Sequence, residues 1–409
     1  MDESNKQTNK QSQIADENVD VNATATTDEV IDAAEESFGE QATASPKDDN
    51  PRGKNRWLSN VFFALSIVLS LYLMYSFASS NDLGNQKTFW QVFSSVNVKY
   101  LILSVATLLA MIILDSLKYL VIMRAIRVKA ANFGTAMYIG LIGKYYDFIT
   151  PFSSGGQPMQ IYYLHKRGIG GGESSAVIFI KFAFNVIMWL VICFCLMLFN
   201  RGVLLTHVGD YTQRNLLTVA GWVGFAFNCL IPVAIICCVV FPRITWGLTR
   251  GVLYIGHKLR LVKDKDAMLA RGKNAVNSFV TAYVSMLKRP LHTIALALLC
   301  IVEPFLSMVL PFFVVVALGG PSITPSVELM LEIMTLNVYA QMSAMIVPTP
   351  GNSGAVESAF MLAITTLSSG ALFWTVFSWR FLSYYSYIII GMCIMINHLI
   401  KNNRNRIRQ

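Results

Sequence analysis

Apolar residues gather along this chain into runs long enough to cross a bilayer, and the polar residues that interrupt them are concentrated at a few places. A helix needs ~20 apolar residues to cross the hydrocarbon core. By that measure the runs at 57–79, 98–123, 174–199, 215–241, 291–318, 327–347 and 371–399 predict membrane-spanning helices. A shorter run occupies 354–368. Two more segments, 131–149 and 151–164, carry too much Gly, Pro and charge to be ordinary spans, and they predict a broken or re-entrant pair. The break between them reads "TPFSSGGQP", residues 150–158, and a second break reads "VPTPGNSGAVE", residues 347–357. Irregular backbone survives at membrane depth only where protein or a water-filled cavity satisfies its polar groups, and paired half-helices of this kind point to a transport site.

Composition agrees. Hydrophobic residues make up 54% of the 409 and charged residues 14%, outside the range of soluble domains. Residues 1–50 differ from the rest, with three Lys against thirteen acidic residues; their balance of −10, set against +9 for the whole chain, leaves +19 on residues 51–409. So polar a segment cannot bury enough apolar surface to offset chain entropy. Residues 1–56 are therefore expected to be a disordered acidic tail, 57–400 the transmembrane domain, and 401–409 a basic tail. The basic residues flank apolar spans instead of forming one soluble patch, which argues against nucleic acid as a partner.

Lys and Arg concentrate before residue 57, around 124–129 and 166–167, in the ten basic residues of 243–289, and at the C-terminus. By the positive-inside rule these segments, and hence both termini, are expected to be cytoplasmic. An even number of crossings then follows, and counting 354–368 as a short span gives eight. The expected fold is an all-α polytopic membrane protein, with about eight transmembrane helices and re-entrant helices around a central cavity. The 243–289 loop is expected to rest on anionic inner-leaflet lipids.

Candidate chemistry lies in the intramembrane charges. Each would cost about 2.5–3.5 kcal/mol at a helix centre on insertion scales, so such residues pair, face water or serve function. Asp115 with Lys118, and Lys144 with Asp147, are spaced as local helix pairs, although they equally suit a cavity. Lys181 precedes Asn185 by one turn. Glu303, Glu357 and Arg380 have no local partner. Helix N-termini at the two breaks would favour an anion such as a lipid phosphate. The seven cysteines show no CxxC spacing and the five histidines stand apart, so neither a disulfide framework nor a metal site is indicated. No GxxxxGK[ST] occurs, which leaves an intrinsic ATPase, and any cofactor, without support.

Three segments together resemble the lysylphosphatidylglycerol synthase transmembrane-region family, which includes the flippase half of the multiple peptide resistance factor. They are "PFSSGGQPMQIYYLHKRGI", "PTPGNSGAVESAF" and "WRFLSYY". The resemblance covers roughly residues 57–400. It implies a multi-pass protein of the bacterial plasma membrane that moves phospholipid or lipid-linked headgroups between leaflets. Carried over by motif position are Gly155, Gly156, Pro158, Pro350, Gly351, Gly354, Glu357 and Arg380. Gln157, Lys144, Asp147, Lys181 and Glu303 complete the expected substrate-binding set. The chain departs from the family where an Arg and an Asp are common and Lys181 and Asn185 stand instead. Asn352 and Ser353 replace a more apolar pair, and Ser386 with Tyr387 stands where proline is common. With the chain ending at Gln409, no aminoacyl-transferase domain is expected. The competing reading is a membrane-embedded transferase or hydrolase with Asp147, Glu303 or Glu357 as general base, or an accessory subunit for lipid-linked substrates. A homo-oligomer is left open.

Overall fold

The computed structural model describes residues 88–128, 131–200, 202–241, 280–320, 323–345, 347–367 and 371–407, together with isolated positions elsewhere. The apolar run at 57–79, the acidic tail, and most of the 243–289 loop lie outside the described residues. Among the described residues the chain is helical. A short α1 (Phe89–Ser94) leads into α2 (Val98–Ala125), followed by α3 (Phe133–Ile149), α4 (Gly156–His165), α5 (Gly171–Phe199), α6 (Val203–His207) and α7 (Tyr211–Val240). Then come α8 (Pro290–Leu318), α9 (Val327–Ala344), α10 (Ala355–Ala363), α11 (Leu372–Arg380) and α12 (Ser386–Ile407), the last two joined by a π-helical turn, Phe381–Tyr385. Local signals set several starts. The side chains of Asn132, Asp210 and Ser326 accept from the backbone N–H three residues on, as N-caps do. Pro290 opens α8 at a position whose N–H has no helical partner.

Sidedness shows in the periodicity. On α2, Ile102, Val105, Leu109 and Ile113 are exposed while Leu108, Met111, Asp115 and Lys118 are buried. Apolar side chains therefore face outward and the charges face the bundle, the reverse of a soluble amphipathic helix. Between helices, lipid tails compete with apolar side chains and close backbone approach matters more. Gly224 of α7 lies so near Met342 of α9 that a Cβ would come within 2.0 Å of its carbonyl oxygen.

Helices α3 and α4 form a hairpin whose register can be followed contact by contact. Asp147 meets Gly156, Gln160 bonds the carbonyl of Ile139 at 3.0 Å, the Tyr138 and Tyr163 rings lie 5.6 Å apart, and Arg167 donates to Thr135 Oγ1 at 2.7 Å. The twelve residues from Thr135 to Asp147 carry the tip about 18 Å inward at 1.5 Å per residue. Helices α9 and α10 form a second hairpin. His207, just after the far end of α5, contacts both Glu332 near the start of α9, at 3.3 Å, and Thr366 beyond α10, at 3.0 Å. Hairpin one leads straight into the start of α5 and hairpin two is pinned beyond its end. The 29 residues of α5 rise about 43 Å, so the hairpins enter from opposite faces.

Five described helices are long and apolar enough to cross a membrane: Val98–Ala125, Gly171–Phe199, Tyr211–Ala234, Pro290–Leu318 and Leu372–Asn397. The expectation of eight crossings counted 327–347 and 354–368 separately; here they fold as one hairpin. The nine residues of α10 reach about 14 Å, less than half of a ~30 Å hydrocarbon core.

Candidate functional site

The two breaks meet. Pro151 and Pro350 form an isolated antiparallel bridge, and because proline has no N–H neither can donate across it. Tyr384 supplies part of the link: its hydroxyl lies 3.0 Å from the carbonyl of Phe148 and 3.3 Å from that of Pro350, reaching both tips at once. It projects from the π-helical turn after Arg380, and such turns place side chains where a regular helix would not.

Each tip is wired internally. In the first, Thr150 Oγ1 donates to the Tyr146 carbonyl at 2.7 Å and accepts from Gly155 N–H at 2.9 Å, while Asp147 Oδ1 accepts from Gly156 N–H at 2.9 Å. Phe152 and Ser153 adopt φ of 55° and 50°, an uncommon region for side-chain-bearing residues. In the second tip, Arg380 Nε donates to Glu357 Oε1 at 2.7 Å and Nη2 to the Gly351 carbonyl at 3.1 Å. Glu357 Oε2 accepts from Gly354 N–H at 2.7 Å. Ser353 Oγ bonds the Pro350 carbonyl. Gly351 has φ of 57°, and a Cβ there would fall 2.2 Å from the Tyr384 ring. Both Glu357 and Arg380 are buried, so the pair sits where a lone charge would be costly.

A second polar cluster lies between α2, α5 and α8. Lys118 Nζ donates to Glu303 Oε2 at 2.8 Å and to Asn185 Oδ1, and Lys181 Nζ lies 2.9 Å from Asp115 Oδ1. The local pair that spacing suggested, Asp115 with Lys118, is the longest of these at 3.8 Å. Tyr119 stands beneath Lys181, with the ammonium 4.9 Å from the ring centre, and its hydroxyl accepts from Gln160 at 2.7 Å, which ties the cluster to hairpin one. Close helix approach makes room: a Cβ on Gly140 would lie 3.2 Å from Asp115 Oδ2, and one on Gly143 only 1.8 Å from Gln160 Nε2.

Between cluster and tips is a cleft too narrow to admit a water molecule, bounded by Ile112, Asp115 and Ser116 of α2, Gly140, Leu141 and Lys144 of α3, and Tyr387 of α12. Tyr387 also packs edge-on against Phe148, ring centres 5.9 Å apart. The cleft therefore ends beside the residue whose carbonyl Tyr384 bonds.

The expected residues fall into these places unevenly. Gly155, Gly156, Asp147, Pro350, Gly351, Gly354, Glu357 and Arg380 form or brace the tips; Lys181 and Glu303 belong to the charge cluster; Lys144 stands between. Pro158 is exposed in the first turn of α4, where a missing N–H costs little, and the side chain of half-buried Gln157 makes no hydrogen bond among the described residues. The N–H groups of Gly155, Gly156 and Gly354, expected to face an anion, are taken by the chain's own side chains. Asn185 serves as an acceptor for Lys118. Sequence reading passed over Tyr384, Tyr119, Gln160 and Thr150, and noted Tyr387 only as a departure from the family pattern. The signal for Tyr384 was its place one turn beyond an unpartnered arginine.

A family model described as Lysylphosphatidylglycerol synthase TM region matches residues 63–391. No curated protein and no solved structure matches the chain.

Proposed function

We propose that this chain, which belongs to the lysylphosphatidylglycerol synthase TM-region family, moves lipid headgroups between the leaflets of a bacterial plasma membrane while acyl chains stay in the bilayer. One observation carries the reading: two broken hairpins from opposite faces meet tip to tip beside a buried network of paired charges, inside helices whose outward faces are apolar. Discontinuous helices meeting at mid-depth are how membrane transporters place polar groups where a substrate can reach them. The transferase or hydrolase reading is the weaker, because Glu303 and Glu357 are each held in a buried ion pair and Asp147 caps the start of α4 through Gly156 N–H, so each candidate base already has a structural part to play.

In the same reading hairpin one opens to the cytoplasm, beside Arg124, Arg127, Lys166 and Arg167, and hairpin two to the outside, beside Glu328 and Glu332. This assignment rests on the positive-inside bias and places both termini and the 243–289 loop in the cytoplasm.

The test is leaflet movement of fluorescent phosphatidylglycerol in proteoliposomes of the pure full-length chain, read by dithionite quenching. Quenching beyond the half accessible in protein-free vesicles is expected, with the lipid recovered chemically unchanged. Vesicles that behave like protein-free ones, or a covalently altered lipid, would overturn the proposal.

A further inference from the structure

Two contacts set the direction in which α12 leaves the bundle. Tyr387 packs against Phe148 near the tip of hairpin one, and about two turns further on the hydroxyl of Tyr163 donates to Met395 Sδ at 3.4 Å, towards the open end of that hairpin. The helix therefore runs outward along hairpin one. Its apolar stretch closes at Asn397, yet the helix continues to Ile407, and the residues from His398 to Ile407 carry it about 15 Å past the apolar end at 1.5 Å each. This extension holds Lys401, Arg404 and Arg406 and no acid. It emerges on the face where Arg124, Arg127 and Lys166 are exposed, and Glu173 is the one acid within 124–135, 165–173 and 398–407.

So much positive charge on one face suits an anionic partner, and the chain carries one. From Asp16 to Glu40 there are nine acids and no base, the kind of single-sign block that serves as an interaction tail. The apolar run at 57–79 is long enough for one crossing, which starts residues 1–56 on the face where α2 ends and α12 emerges. From Glu40 to Trp57 the chain can span up to about 55 Å, ample to reach the α12 extension. Tethering raises the effective concentration of such a segment to the millimolar range.

We propose that residues 16–40 dock on this basic face, against the α12 extension, as an intramolecular polyanion holding the place that anionic leaflet lipids would otherwise take. The proposal stands apart from the lipid-moving reading, since it needs only that both termini share a face. Exposed charges interact over about 8 Å at physiological ionic strength and about 3 Å at 1 M salt, so the contact is salt-sensitive.

The experiment places single full-length chains in nanodiscs containing phosphatidylglycerol and treats them with a carbodiimide, which joins a carboxylate to a touching lysine as an amide while the reagent takes up the water. Peptides linking residues 16–40 to Lys401 or Lys166 are expected at about 0.15 M salt and lost at about 1 M. A mixture of isotopically light and heavy chains is expected to give no mixed products. Replacing the nine acids by their amides leaves residues 57–409 untouched, and it should speed cleavage after Lys401 by a lysine-specific protease roughly fivefold or more, because cleavage follows the uncovered population. Absence of both links, links confined to the lysines of 243–289, mixed-isotope products, or equal cleavage of the two proteins overturns the site. Links that form in discs of neutral lipid and vanish when phosphatidylglycerol is present would give the face to the leaflet and overturn the assignment to the tail.

Discussion

The pair formed by Glu357 and Arg380 allows the sharpest separation of fold from function. Sequence reading placed both in the expected substrate-binding set by motif position, and neither has a local partner. In the structure Glu357 Oε1 is held by Arg380 and Oε2 by Gly354 N–H, with side-chain exposures of 0% and 8% for the two residues. Glu357→Gln keeps an oxygen for Gly354 but leaves the guanidinium without its counter-charge, a loss of about 3–5 kcal/mol for a buried pair. Arg380→Gln does the same to the carboxylate and also strips the donor from the Gly351 carbonyl, adding roughly 1–3 kcal/mol. The arginine variant should therefore be the less stable. In the double variant two neutral amides face each other, and a coupling of about 2 kcal/mol or more should be recovered. Reversible unfolding in detergent, followed by tryptophan fluorescence in a double-mutant cycle, measures each contribution. A Glu357→Gln protein as stable as wild type, with leaflet movement lost, would refute the structural assignment and return this carboxylate to the headgroup.

Three further outcomes are expected. Gly351→Ala should impair folding more than Gly143→Ala, since the first combines positive φ with a clash against the Tyr384 ring while the second, at ordinary φ, pushes the Gln160 side chain off its bonds to Tyr119 and Ile139; expression and gel-filtration profiles rank them. Lys118→Met should destabilise by about 3–5 kcal/mol by stranding Glu303, and adding Glu303→Gln should restore part of the loss in chemical denaturation. A cysteine at Lys265 should resist impermeant maleimide in intact cells and react after lysis, and strong labelling from outside would reverse the orientation.

How much the sequence disclosed depended on the range of each interaction. Spans expected at 98–123, 174–199 and 291–318 appear as Val98–Ala125, Gly171–Phe199 and Pro290–Leu318, because length and apolarity are properties of a contiguous run. Both breaks were legible from Pro and Gly for the same reason. The run at 354–368 misled because apolar composition does not reveal where a chain turns back: α10 stops at Ala363 and the backbone continues in turns. Charge partners were hidden altogether. Lys118 and Glu303 are 185 residues apart, and local spacing favoured Asp115 simply because it was the nearest acid in sequence. Only the packing of α2 against α8 decides between them.

The hydroxyl shared between the two tips bears on how the protein is made. Phe148 and Tyr384 are separated by 236 residues, so at a synthesis rate of 5–20 residues per second the carbonyl of Phe148 precedes its donor by on the order of ten to fifty seconds. Throughout that interval the first hairpin stands in the bilayer with a polar tip that the finished chain alone can cover, and an unsatisfied backbone group in hydrocarbon costs several kcal/mol. The first half is thus a client before it is a domain: the translocon, an insertase or trapped water must shelter residues 148–155 until the second half arrives, and a chain truncated before Tyr384 should be a substrate for membrane quality control.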